Sequence, residues 1–82
     1  MRKRVILPGA LRTIRKLKAE TDSKFRVGEF GPACQMSDSH LCNIEAGRKQ
    51  PPEEVIHRIA ALLGVDVDAI SYVIETPEEA AA

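Results

Sequence analysis

The amino-acid sequence predicts an all-α fold: one small domain of five short helices. Val, Ile and Leu recur at three- and four-residue spacing, the period of a helix face rather than of a strand. Helix starts and stops stand where that spacing needs them, with Ser37 and Asp66 as N-caps and Gly47 and Gly64 as terminators. The length of 82 residues suits one compact domain and is too short for two. Aromatic residues are confined to Phe25, Phe30 and Tyr72, so the core has to be aliphatic.

Residues 1–9 are expected to form a basic N-terminal arm, carrying Arg2, Lys3 and Arg4 and ending in a turn at Pro8-Gly9. The first helix is expected over roughly 9–20, with Leu11, Ile14 and Leu17 on one face and Arg12, Arg15, Lys16 and Lys18 around them. Thr21-Asp22-Ser23 is a loop. The second helix spans about Val27 to Cys34, with Phe30 and Cys34 inward, although Gly28, Gly31 and Pro32 are all poor helix formers. Gly31 fits a place where another helix passes too close for a larger side chain.

The third helix covers about 38–46, with Ser37 as its cap, Asp38 at its positive end, and Leu41 and Ile44 inward. Pro51-Pro52 opens the fourth, where missing N–H groups cost nothing, and Val55, Ile56, Ile59, Ala60, Leu62 and Leu63 make it strongly apolar. A short fifth helix is expected after Asp66, closed by Thr76-Pro77. The domain therefore runs over 10–76, and 77–82 is an acidic, alanine-rich tail expected to be disordered.

Composition excludes several classes. The apolar stretch Val5-Ile6-Leu7 is too short for a signal peptide, and nothing approaches the about 20 apolar residues of a membrane span. The chain is therefore expected to be cytoplasmic. Cys34 and Cys42 are too few for a disulfide scaffold and are taken as reduced thiols. With His40 and His57 they could form a zinc set, but Cys34 falls on a core position and no C-x-x-C spacing exists, so no metal is expected. No cofactor and no catalytic constellation is expected in so small a chain.

Formal net charge is zero, but the charges segregate. Residues 1–50 hold eleven Lys/Arg against five Asp/Glu, and residues 51–82 hold one against seven. A basic first part suits a polyanion; an acidic last part suits solvent or a protein.

The second and third helices meet the requirements of a helix-turn-helix: a small residue in the first helix (Gly31), a turn four positions later (Gln35), and an apolar set of Phe30, Cys34, Met36, Leu41 and Ile44. Polar residues open the second helix of the pair. In the stretch from Met36 to Lys49, Ile44-Glu45-Ala46-Gly47-Arg48 resembles the recognition-helix ending of the Xre family of phage-repressor and Cro-like regulators. Ile59-Ala60-Ala61-Leu62-Leu63-Gly64-Val65 and Leu11-Arg12-Thr13-Ile14-Arg15 are similar to two further blocks of that family, in the same order. The resemblance covers residues 10–75 and implies a five-helix, lambda-repressor-like DNA-binding domain. Three departures are Gln35, where the family usually has glycine and a positive φ is required, Pro32 inside the second helix, and a loop between the first and second helices about five residues longer than the family norm.

By this resemblance, Ser37, Asp38, Ser39 and Asn43 occupy the positions that face base edges. Their side chains suit that task, since Asn pairs bidentately with adenine, Asp accepts from cytosine and Ser serves either role. Ser37 and Asp38 also suit simple capping. Arg26, His40, Arg48, Lys49 and Gln50 flank the recognition helix as candidate phosphate contacts, and Arg2, Lys3 and Arg4 as candidate arm contacts. Arg15 and Glu45 match the family's buried ion pair. Val67, Ile70, Tyr72, Val73 and Ile74 exceed what one small core needs and are expected to form a dimer interface.

The resemblance implies a bacterial or phage-encoded, nucleoid-associated transcriptional regulator that binds a double-stranded DNA operator as a homodimer. The alternative is an antitoxin or adaptor whose acidic C-terminal part holds a partner protein.

Overall fold

The computed structural model describes residues 2–75. Among them the order is β1 (Arg2–Ile6), α1 (Pro8–Ala19), a 3-10 turn (Ser23–Phe25), α2 (Val27–Ala33), α3 (Asp38–Glu45), α4 (Glu53–Leu63), a second 3-10 turn (Val67–Ala69) and β2 (Ser71–Glu75). The four expected helices α1 to α4 form. The fold is mainly helical but not purely so, and the expected fifth helix does not form.

Asp66 does cap its segment, its carboxylate accepting from the Asp68 backbone N–H at 3.0 Å, but the cap opens only one 3-10 turn. The chain then extends as Ser71-Tyr72-Val73-Ile74-Glu75. Aromatic and β-branched residues lose rotamer freedom in a helix and fit a pleated surface. Such a segment needs a partner strand, and the N-terminus supplies it. β1 pairs antiparallel with β2 in the register Arg2 opposite Glu75 through Ile6 opposite Ser71. The Leu7 N–H donates to the Ile70 carbonyl at 2.7 Å, carrying the pairing to the start of α1. Residues 2–6 are therefore a strand rather than a free arm, and Pro8 already lies in the first turn of α1. The expected tail 77–82 and the stop at Thr76-Pro77 lie outside the described residues.

The core is aliphatic around one aromatic ring. Leu11, Leu41, Ile44, Ile56, Ile59 and Ile70 are completely buried, and Phe30 nearly so. Every helix gives one stripe to this core. Two expected interface residues belong to it: Ile70 is fully buried and Val67 packs against the cluster. Tyr72, Val73 and Ile74 remain exposed on β2. Gly47 and Gly64 have φ of 80° and 73°, the left-handed conformation expected of glycines just past helix ends. Among the described residues no helix is long and apolar enough to cross a membrane.

Candidate nucleic-acid interface

The geometry of the site begins in the turn between α2 and α3. The Met36 N–H donates to the Gly31 carbonyl at 3.0 Å and the Gln35 N–H to the Pro32 carbonyl at 2.9 Å. This pair of bonds is a Schellman closure, whose pivot must be left-handed. The pivot is Gln35, at φ 63°. A side chain there costs on the order of 1 kcal/mol relative to glycine. Pro32 is accommodated within the seven-residue α2, where Gly28 stands at the position its ring opposes.

Gly31 is buried, and a Cβ there would lie 3.3 Å from both the Met36 carbonyl and the Asp38 carboxylate. The close passage of α3 is therefore the reason for the glycine. The same distances place Asp38 over the glycine side of α2, with its other carboxylate oxygen 4.0 Å from a Cβ built at Gly28. Ser37 caps α3, its Oγ accepting from the His40 N–H at 3.1 Å. Leu41, Ile44 and Glu45 are buried and hold α3 against the body.

Ser39 and Asn43 stand one turn apart on the opposite, outward face, Ser39 exposed and Asn43 half-buried. Cys42 and Ala46 are exposed as well and continue this face. Neither was expected on this face from sequence, although the spacing from Ser39 through Asn43 to Ala46 carries the signal. Gly47 closes α3 in the same way that Gln35 closes α2. The Gly47 N–H donates to the Ile44 carbonyl at 3.1 Å and the Arg48 N–H to the Asn43 carbonyl at 2.9 Å. The Arg48 side chain returns to the Asn43 amide oxygen at 3.4 Å, so Asn43 tethers Arg48 through backbone and side chain together.

Lys49 and Gln50 follow, both exposed, with Gln50 donating to the Pro51 carbonyl at 3.4 Å. Arg26, also exposed, stands at the N-cap of α2. His40 lies on the α4 side of α3, where it lines a shallow groove with Met36, Val55 and Arg58.

The pitch of α3 is set by an ion pair. Arg15 of α1 donates through Nε and Nη2 to the two carboxylate oxygens of Glu45, the Nη2–Oε1 distance being 2.9 Å. Its third nitrogen donates to the Phe25 carbonyl at 3.0 Å. One guanidinium thus joins α1, α3 and the first 3-10 turn. Its pKa is raised, chiefly by the hydrogen bonds to Glu45, so it stays charged.

The expected arm contacts are placed elsewhere. Arg4 Nη1 donates to the Asp68 carboxylate at 2.8 Å and to Ser71 Oγ at 3.0 Å, and its Nε lies 3.7 Å from Glu53. Its side chain is 14% exposed, too little for a residue that reaches out to a groove. Arg2 pairs with Glu75 across the sheet at 3.6 Å, and Lys3 stands on β1 opposite Ile74. Strand pairing has carried these cations onto the acidic end of the chain, which offsets part of the charge separation read from sequence.

The thiols also part company. Cys34 is buried, and desolvation pushes its pKa from 9.0 to about 11; Cys42 is exposed. Among the described residues no three His, Cys, Asp or Glu side chains are grouped as a metal site.

Comparison with known proteins agrees with this geometry. A family model described as a helix-turn-helix domain matches residues 10–71, from the first turn of α1 to the first residue of β2. Neither the curated proteins nor the solved structures gave a significant match. The match spans most of the chain and takes in the turn at Gln35, the capped α3 and the Arg15–Glu45 brace. The chain belongs to the helix-turn-helix domain family, a DNA-binding class of domain.

Proposed function

We propose that this chain is a sequence-specific transcriptional regulator of the repressor and Cro type, Xre-like, which reads a double-stranded operator with α3 in the major groove. The arrangement of Asn43 and Arg48 supports this reading most directly. Asn43 stands on the outward face of a helix anchored behind by Leu41 and Ile44, and it holds a cation beside itself. An amide is suited to a base edge and a guanidinium to a phosphate, so the pair would specify sequence and fix register together. Ser39 is the second base-facing residue of this proposal. Ser37 serves the cap first, and Asp38 lies over the glycine side of α2.

The regulator would act as a homodimer on a palindromic site, from the cytoplasm and at the nucleoid. Tyr72, Val73 and Ile74 are the exposed part of the expected interface, and they lie on β2. A partner protein on the same strip, as in an antitoxin or adaptor, is the second reading. No catalytic step forms part of either.

Selection from random double-stranded DNA tests the proposal. Enrichment of one short motif, lost on Asn43→Ala, is the expected result. Binding with no enriched sequence would overturn the regulator reading. Sedimentation at tens of micromolar separates the two uses of β2: the homodimer reading expects a dimer, alone or on DNA.

A further inference from the structure

A cleft of about 330 Å³ opens between α1 and α3, beside the outward face of α3. Arg12, Arg15 and Lys16 come to it from α1, Cys42, Glu45 and Ala46 from α3, and Arg48 from the turn beyond. Arg15 and Glu45 are joined to each other, so they add little net charge to its wall. Arg12, Lys16 and Arg48 remain, all exposed and, among the described residues, in no ion pair.

Other cations of the chain are differently placed. Arg4 faces Asp68 and Glu53, Lys24 faces Asp22, and Lys18 and Lys24 lie 5.7 and 5.3 Å from the Phe25 ring centre. Three like charges gathered on one concave surface repel one another and focus a positive potential into it. An anion seated there removes that repulsion.

The location adds a second argument. A helix in the major groove lies between the two phosphate strands that form the groove's rims, about 12 Å apart. The cleft is on the α1 flank of α3, where one of those strands would run. Cys42 and Ala46 are small, so the side of α3 facing the cleft is not closed over. Arg48 connects the two sites, since it lines the cleft and bonds to Asn43 on the outward face.

We propose that this cleft is a phosphate site that takes a phosphodiester of the DNA backbone, with Arg12 and Lys16 of α1 contacting it alongside Arg48. The inference rests on the reading that α3 enters the groove, and it adds α1 to the DNA surface. The same oxyanion chemistry would also suit free inorganic phosphate, and the test distinguishes the two sources.

The measurement is the salt dependence of binding to a duplex of arbitrary sequence, because phosphate contacts are independent of sequence. Each lost contact lowers the slope of log affinity against log salt by about 0.9. Arg12→Gln with Lys16→Gln is expected to lower the slope by up to about 0.9 per protomer, since the two cations share one phosphate, and to weaken all duplexes alike. Lys24→Gln, which removes one cation elsewhere, is expected to leave the slope unchanged. Arg12→Lys is expected to retain it, as a charge contact should. Both double-variant positions are exposed, and an unchanged circular dichroism melt confirms folding.

A wild-type slope in the folded double variant overturns the proposal. If calorimetry then shows that wild-type protein binds inorganic phosphate and the double variant does not, the cleft is a free-phosphate pocket and the DNA assignment is wrong. If the wild-type chain binds its selected operator while the slope is unmoved, the cleft assignment falls and the regulator reading stands. Absence of any duplex binding by the wild type overturns both.

Discussion

Arg15 and Glu45 meet through two parallel N–H to oxygen bonds, with both residues buried at 6% and 8% exposure. The pair spans α1 and α3, so it fixes the helix that presents Ser39 and Asn43. Its contribution is asymmetric. Removing one partner leaves a buried charge unpaired, whereas removing both leaves an apolar gap. Arg15→Met alone and Glu45→Leu alone are each expected to destabilise the domain by about 3–5 kcal/mol. The double variant should lose much less than the sum of the two. Urea denaturation of the four proteins measures the coupling, and strict additivity would mean the two residues do not act as a pair.

Gln35 gives a prediction of opposite sign. Its φ of 63° is one that glycine adopts without strain. Gln35→Gly is expected to stabilise the domain by up to about 1 kcal/mol, the strain relieved being partly offset by a more flexible unfolded chain. Gln35→Val should destabilise it, because β-branched residues tolerate this conformation least. A denaturation midpoint that rises for Gly and falls for Val, at constant slope, is the expected pattern.

Asn43→Ala has two consequences, because the amide also holds Arg48 at 3.4 Å. Loss of the base contact is expected to reduce preference for the selected operator over scrambled DNA by about 1–3 kcal/mol. Loss of the tether should weaken binding to both duplexes slightly. Titrations of the variant on the two DNAs at one salt concentration separate the effects. A fall in both affinities with an unchanged ratio would leave Asn43 only the positioning role.

The cysteines predict a pH dependence. Burial raises the Cys34 pKa in the folded protein from 9.0 to about 11. The unfolded chain therefore releases this proton at lower pH than the folded one. The contribution of the protonated thiol to stability is fully present below about pH 9 and is lost as pH rises through about 11. Cys34→Ala should flatten this alkaline fall, which denaturation at a series of pH values would show. Near pH 8 an alkylating reagent should modify Cys42 alone in the folded protein and both thiols in urea.

The helical part of the fold was legible because its signals are local. Ser37 caps α3, Gly47 and Gly64 stop α3 and α4, and Gly31 admits a close neighbour, each for a reason visible within a few residues. The sheet was not legible in this way. Val5-Ile6 and Tyr72-Val73-Ile74 are short apolar runs that also fit a helix stripe, and only their mutual pairing makes them strands. Misplacing β2 enlarged the expected interface, because Ile70 belongs to the core of the single chain. Misplacing β1 left Arg4 free on paper, whereas it is bonded to Asp68 and Ser71. The cleft beside α3 was also missed. Arg12 and Lys16 lie far from Arg48 in sequence, and only the crossing of α1 and α3 brings them together.

The pairing of Arg2 with Glu75 joins the two ends of the described chain. During folding those ends must find each other across the whole domain, and closing so long a loop costs roughly 2–3 kcal/mol more than closing a four-residue turn. If helix packing brings the strands near, the sheet is expected to form late and to be the first part of the native state to open. A circularly permuted chain, with Glu75 linked to Arg2 by a short turn, would make the most distant contact a local hairpin. It should fold faster than the natural order of the same residues.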